Sequence, residues 1–154
     1  MSRTPDEALR ELADRAAIQD VMLRYARGVD RKDLDLVASC FTSDASYEGA
    51  LAHGTIADAL VRLRDAMARY DSTMHFVGNQ LVEINGDSAS SETYAVAYHR
   101  LTDGAESKLF TVGVRYLDDL IRSGQQWRIR HRLVCTGWQR TEVIEPGRTE
   151  QRHG

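Results

Sequence analysis

The chain has 154 residues, enough for one domain and too few for two with adequate cores. Its 42% hydrophobic and 28% charged residues strike an ordinary globular balance, and a net charge of −3 argues against a nucleic-acid binder, which usually carries a basic face. No apolar run approaches the roughly 20 residues that a membrane-spanning helix needs, and the polar N-terminus is unlike a signal peptide.

In chain order, the first helix starts at a capping box. Thr4 is placed as the cap, Pro5 at the first helical position and Glu7 at the third. Leu9, Leu12, Ala16, Val21 and Leu23 recur at helical spacing, and Gly28 marks the expected end. Asp30 would then stand just beyond the helix, where it could cap a second helix over Lys32–Cys40. A short extended piece, Ala45–Tyr47, precedes a third helix, Ile56–Tyr70, with Thr55 and Asp58 as its capping pair. Beyond it the period drops to two. His75–Ile84, Ser91–Thr102, Leu109–Ile121 and Trp127–Thr141 read as strands, joined by turns at Asn85-Gly86-Asp87, Asp103-Gly104 and Ser123-Gly124. Three helices followed by an antiparallel meander define an α+β fold. The predicted shape is a cone: helices packed in a curved, mostly antiparallel sheet, with a small-molecule pocket at the mouth. The domain is expected over residues 1–142, with a polar C-terminal tail over 143–154.

Alternation sorts the strand faces. Ala95, Ala97, His99 and Leu101 share one face of the second long strand, and two alanines beside a histidine leave space for a ligand. On the last strand Arg128, Arg130, Arg132, Val134 and Thr136 share a face, opposite Trp127, Ile129, His131, Leu133 and Cys135. If Arg132 points inward, the apolar face points outward and needs a cover, for which a second subunit is the simplest candidate. Cys40 and Cys135 are expected to be reduced thiols of a cytoplasmic protein. No Cys/His spacing suggests a metal, and no Gly-rich loop suggests a nucleotide, so no cofactor is expected.

The segments Ala16-Ala17-Ile18-Gln19-Asp20 and Tyr25-Ala26-Arg27-Gly28-Val29-Asp30 resemble the first helix of SnoaL-like proteins, within the nuclear-transport-factor-two-like superfamily. Thr73-Met74-His75-Phe76-Val77-Gly78-Asn79 resembles the histidine strand of scytalone dehydratases, with similar pieces in hexachlorocyclohexane dehydrochlorinases and bile-acid 7α-dehydratases. The resemblance covers residues 9–142 and points to the enzymatic branch. It implies an Asp30–His75 catalytic pair, with Tyr25, His99 and Arg132 as further catalytic residues. Tyr47 matches the position of a water-holding tyrosine, and Val29 stands where scytalone dehydratases carry another tyrosine. Together with Ala97 and Val134, these two are the expected substrate contacts. The resemblance also implies a homo-oligomer, a trimer ahead of a dimer.

The chemistry these residues offer is elimination without a cofactor. A histidine near neutrality can take a proton from carbon beside a carbonyl, and a carboxylate on its other nitrogen fixes the tautomer. Donors such as Tyr25, His99 or Arg132 would steady the developing oxyanion. The expected function is therefore a lyase, in particular a dehydratase, acting on a small apolar carbonyl compound such as a polyketide, steroid or terpenoid. Isomerase and polyketide cyclase are the alternatives on the same pocket, and a non-catalytic binding or assembly module is the alternative of another class.

Overall fold

The computed structural model describes residues 4–145. Thr4 caps α1 (Pro5–Asp30): its hydroxyl accepts from the Glu7 N–H at 3.3 Å, and the Glu7 carboxylate accepts from the Thr4 N–H at 2.8 Å. The helix runs past Gly28, so Asp30 is its last residue and not one beyond its end. The left-handed turn falls instead on Lys32, at φ 57°. Gly28 serves packing. A Cβ there would lie 2.7 Å from Val37 Cγ2 and 3.1 Å from the Asp33 carbonyl, so the missing side chain lets α2 (Leu34–Ser39) approach α1. The cap of α2 is Asp33, which accepts from the Leu36 N–H at 3.0 Å. That makes α2 shorter than the predicted Lys32–Cys40 and leaves Asp30 free for other partners.

After β1 (Phe41–Glu48) and β2 (His53–Thr55) comes α3 (Ile56–Arg69), capped as expected by Thr55, which accepts from the Asp58 N–H at 3.2 Å. Four long strands follow: β3 (Ser72–Asn85), β4 (Ser88–Asp103), β5 (Glu106–Ser123) and β6 (Gln126–Ile144). Gly86, Gly104 and Gly124 take φ of 61°, 63° and 65° at the three hairpins, the left-handed geometry that such tight connections require. The sheet order is β2-β1-β6-β5-β4-β3. All neighbours are antiparallel except β1 and β6, which run parallel and add one pair to the predicted meander. The helices pack against this curved, unclosed sheet, as the α+β cone requires. β6 continues to Ile144, so the strand passes the predicted boundary at 142; the tail expectation for residues 146–154 lies outside the described residues.

The simple alternation predicted for β6 fails at one point. Trp127, Ile129 and Arg132 are all buried, although strict alternation separates the first two from the third. Asp119 pairs with His131 and Leu120 with Ile129, so Arg130 is an extra, unpaired residue in a bulge. Side chains alternate with a period of two, and one inserted residue exchanges the faces. Trp127 and Ile129 thereby enter the core together with Arg132. The Trp127 indole donates to Asp14 Oδ1 at 3.1 Å, and Arg122 bridges Asp14 and Asp87 at 2.8 Å each, which ties α1 to the end of β5, the start of β6 and the β3–β4 turn.

Candidate active site

Asp30 ends α1 against the start of β3, where both of its oxygens are occupied. His75 Nδ1 lies 2.7 Å from Oδ1, the Thr73 hydroxyl donates to the same oxygen at 2.9 Å, and the His75 N–H donates to Oδ2 at 2.9 Å. Thr73 and His75 are two residues apart, hence on one face of the strand. Burial pushes the Asp30 carboxyl up, but the hydrogen bonds from His75 and Thr73 outweigh it and hold the group below its ordinary value. An ionised carboxylate only accepts, so His75 donates to it from Nδ1 and turns Nε2 away from the pair. The His75 side chain is 7% exposed and that of Asp30 23%, a pair half-withdrawn from water.

His99 joins this pair from β4, with ring centroids 5.9 Å apart and planes near perpendicular. It packs between Tyr70, at 4.8 Å, and Phe110, at 5.5 Å, and its Nδ1 lies 3.3 Å from the Phe110 carbonyl. Burial, helped by His75, pushes its pKa below the ordinary histidine value. Ala97 lies opposite His75 in the β3–β4 ladder and is buried, leaving a small side chain beside the imidazole. Val29 is buried at the end of α1, one residue before the aspartate.

The other expected site residues form a second, deeper group. Arg132 is fully buried and bound through Nε and Nη2 to Asp118, at 2.7 and 2.8 Å. Its guanidinium lies 4.2 Å from the Tyr25 ring centre, 4.5 Å from Tyr116 and 5.2 Å from Phe41. Burial works against its charge, but Asp118 restores it and raises the pKa above the ordinary arginine value. Arg132 Nη1 is buried without a partner. Tyr47 pairs with Arg132 in the β1–β6 ladder, and Val134 faces Tyr116 across β5 and β6. Burial raises the phenol pKa of Tyr25, Tyr47 and Tyr116, so all three stay protonated. A cavity of about 10 Å³, the space of about one water, lies between Tyr25, Phe41, Tyr47 and the α3 residues Leu60 and Leu63. Among the described residues no hydrogen bond or ring contact joins this group to the Asp30–His75–His99 group.

Three participants escaped the sequence reading. Thr73 was accessible through its spacing of two from His75. Asp118 and Tyr116, the partners of Arg132, were not, because the pairing of β5 with β6 depends on the bulges. Among the described residues no cluster of three or more His, Cys, Asp or Glu side chains is placed to hold a metal ion.

The fold has relatives. A SnoaL-like domain model matches residues 10–133, so the chain belongs to the SnoaL-like family. An uncharacterised protein of Mycobacterium tuberculosis is 26% identical over 138 residues, covering 86% of this chain and 92% of its own. A type 2 hexachlorocyclohexane dehydrochlorinase superposes with a TM-score of 0.75 at 21% identity, covering 95% of this chain and 99% of that one. A candidate scytalone dehydratase from Novosphingobium aromaticivorans superposes with a TM-score of 0.73 at 19% identity, covering 89% and 91% of the two chains. These two likenesses concern the fold. No helix among the described residues is long and apolar enough to cross a membrane.

Proposed function

We propose that the protein is a cofactor-independent lyase, specifically a dehydratase, acting on a small apolar carbonyl compound of the polyketide, steroid or terpenoid kind. The observation that carries this reading is the 2.7 Å bond between Asp30 and His75, with every other Asp30 contact holding the carboxylate still. His75 Nε2 takes the proton from the carbon beside the carbonyl, and Asp30 stabilises the imidazolium that forms. The carbon–oxygen bond at the next carbon then breaks, and the same imidazolium returns its proton to the departing oxygen. The donors for the carbonyl oxygen are to come from the deeper group, if α3 opens it to substrate, since the phenols of Tyr25 and Tyr47 stay protonated and Arg132 Nη1 is uncommitted. Val29, Ala97 and Val134 shape the apolar walls.

The test is a time course on a panel of β-hydroxy ketones, followed by enone absorbance and by loss of water in the mass spectrum. The His75→Ala variant should lose on the order of 10²–10⁴ in rate, the usual share of a positioned base. Undiminished turnover in that variant would overturn the assignment. One observation favours a binding module instead: the inner cavity, about 10 Å³, admits no substrate until Leu60 and Leu63 of α3 move. Ligand binding without turnover of any panel member would decide for that reading. We further propose that the protein acts in the cytoplasm, consistent with its unpaired Cys40 and Cys135, and as a homo-oligomer.

A further inference from the structure

We propose that His99 is a hydrogen-bond acceptor, which selects substrates bearing a free hydroxyl at the carbon that loses its substituent. The Phe110 carbonyl fixes the tautomer of His99. A carbonyl oxygen only accepts, so the 3.3 Å contact places the His99 proton on Nδ1. The other nitrogen, Nε2, is then a bare lone pair. His75 likewise donates its Nδ1 proton, to Asp30. The two imidazoles meet, 5.9 Å between ring centres, and the bare Nε2 of His99 is the acceptor between them. Among the described residues neither Nε2 has a hydrogen-bond partner, and neither is among the sealed unpartnered atoms. The partial burial that keeps His99 neutral preserves this state at neutral pH.

The consequence is chemical. A neutral His99 in this tautomer cannot polarise a carbonyl, which is the reverse of the donor role given to it in the sequence reading. It can hold an O–H. A substrate hydroxyl donating to His99 Nε2 turns its oxygen lone pairs toward His75. There they receive the proton that His75 has taken from carbon, and the C–O bond breaks with its electron pair going to oxygen. The products are an enone and water, and both imidazoles return to their starting state. A halide or an ether at that carbon has no proton to give and leaves a lone pair facing a lone pair, so the site disfavours it.

This inference deepens the dehydratase reading, but its test does not depend on turnover. Long-range ¹H–¹⁵N correlation spectra of the free protein at pH 7.5, assigned with a His99→Gln variant, should show Nδ1 protonated and Nε2 unprotonated at His99. Titration with a bicyclic β-hydroxy ketone should perturb the Nε2 resonance. The corresponding methyl ether and β-fluoro ketone should bind about 10- to 100-fold more weakly, the range expected when a buried acceptor loses its donor. A protonated Nε2, or equal affinity for the three compounds, overturns the proposal. Hydroxyl-selective binding with no conversion upholds it and removes the dehydratase reading alone.

Discussion

The Asp30 carboxylate accepts three hydrogen bonds from one stretch of β3, two from His75 and one from Thr73. Such a group is fixed in direction as well as in charge, and this separates it from a helix cap that happens to face a histidine. The same bonds link folding to pH. The folded-state pKa lies below that of the unfolded chain, near 3.9 for an ordinary aspartate. Its stabilising contribution is therefore fully present above about pH 4 and is lost as the pH falls through the lower folded value. Thermal melts of wild type and Asp30→Asn should differ most above pH 5 and converge toward pH 2.5. A gap that stays constant over that range would mean that the carboxylate gains nothing from its partners. The contact between Asp30 and His75 was legible in the sequence, because two short segments resembled one family at once. The tautomer of His99 was not, since it depends on a carbonyl of the neighbouring strand, and strand register is invisible to alternation along a single strand.

At the level of elements, the meander, its turns and the helix starts followed from local chemistry: capping boxes, glycines at tight turns and the change of period. What local chemistry missed were the places where one element answers to another. Gly28 reads as a helix stop, yet it is a contact surface for Val37. Arg130 reads as one more member of a basic stripe, yet it is the extra residue that lets Trp127, Ile129 and Arg132 share the interior. Its side chain is exposed while its presence in the chain sets the register. The two can be separated experimentally. Arg130→Ala should change stability by no more than about 0.5 kcal/mol, as surface substitutions do. Deleting residue 130 should turn either Trp127 and Ile129 or Arg132 to the outside and abolish cooperative unfolding in urea. A deletion variant that melts like wild type would show that the strand slips at no cost.

At the scale of the whole molecule, the outer face of the sheet is left uncovered. Once the bulge has drawn Trp127 and Ile129 inward, the outer face of the sheet still carries Phe76, 67% exposed, with Met74, Leu81, Tyr94 and Trp138 also uncovered. Between Phe76, Tyr94 and Trp138 lies a trough of about 370 Å³ floored by Gly78, Gly113 and Gly137. Protruding rings beside a glycine floor form a surface that can receive a copy of itself. Light scattering should then give wild type at least twice the 17.3 kDa of one chain at micromolar concentration. Phe76→Glu combined with Trp138→Glu should reduce it to a monomer, because each new carboxylate would be buried against apolar surface. Circular dichroism of the variant should remain that of the folded protein, since neither side chain belongs to the core. A wild type that runs as a monomer, or a double variant that keeps the oligomeric mass, would mean that the exposed rings serve another partner than this chain.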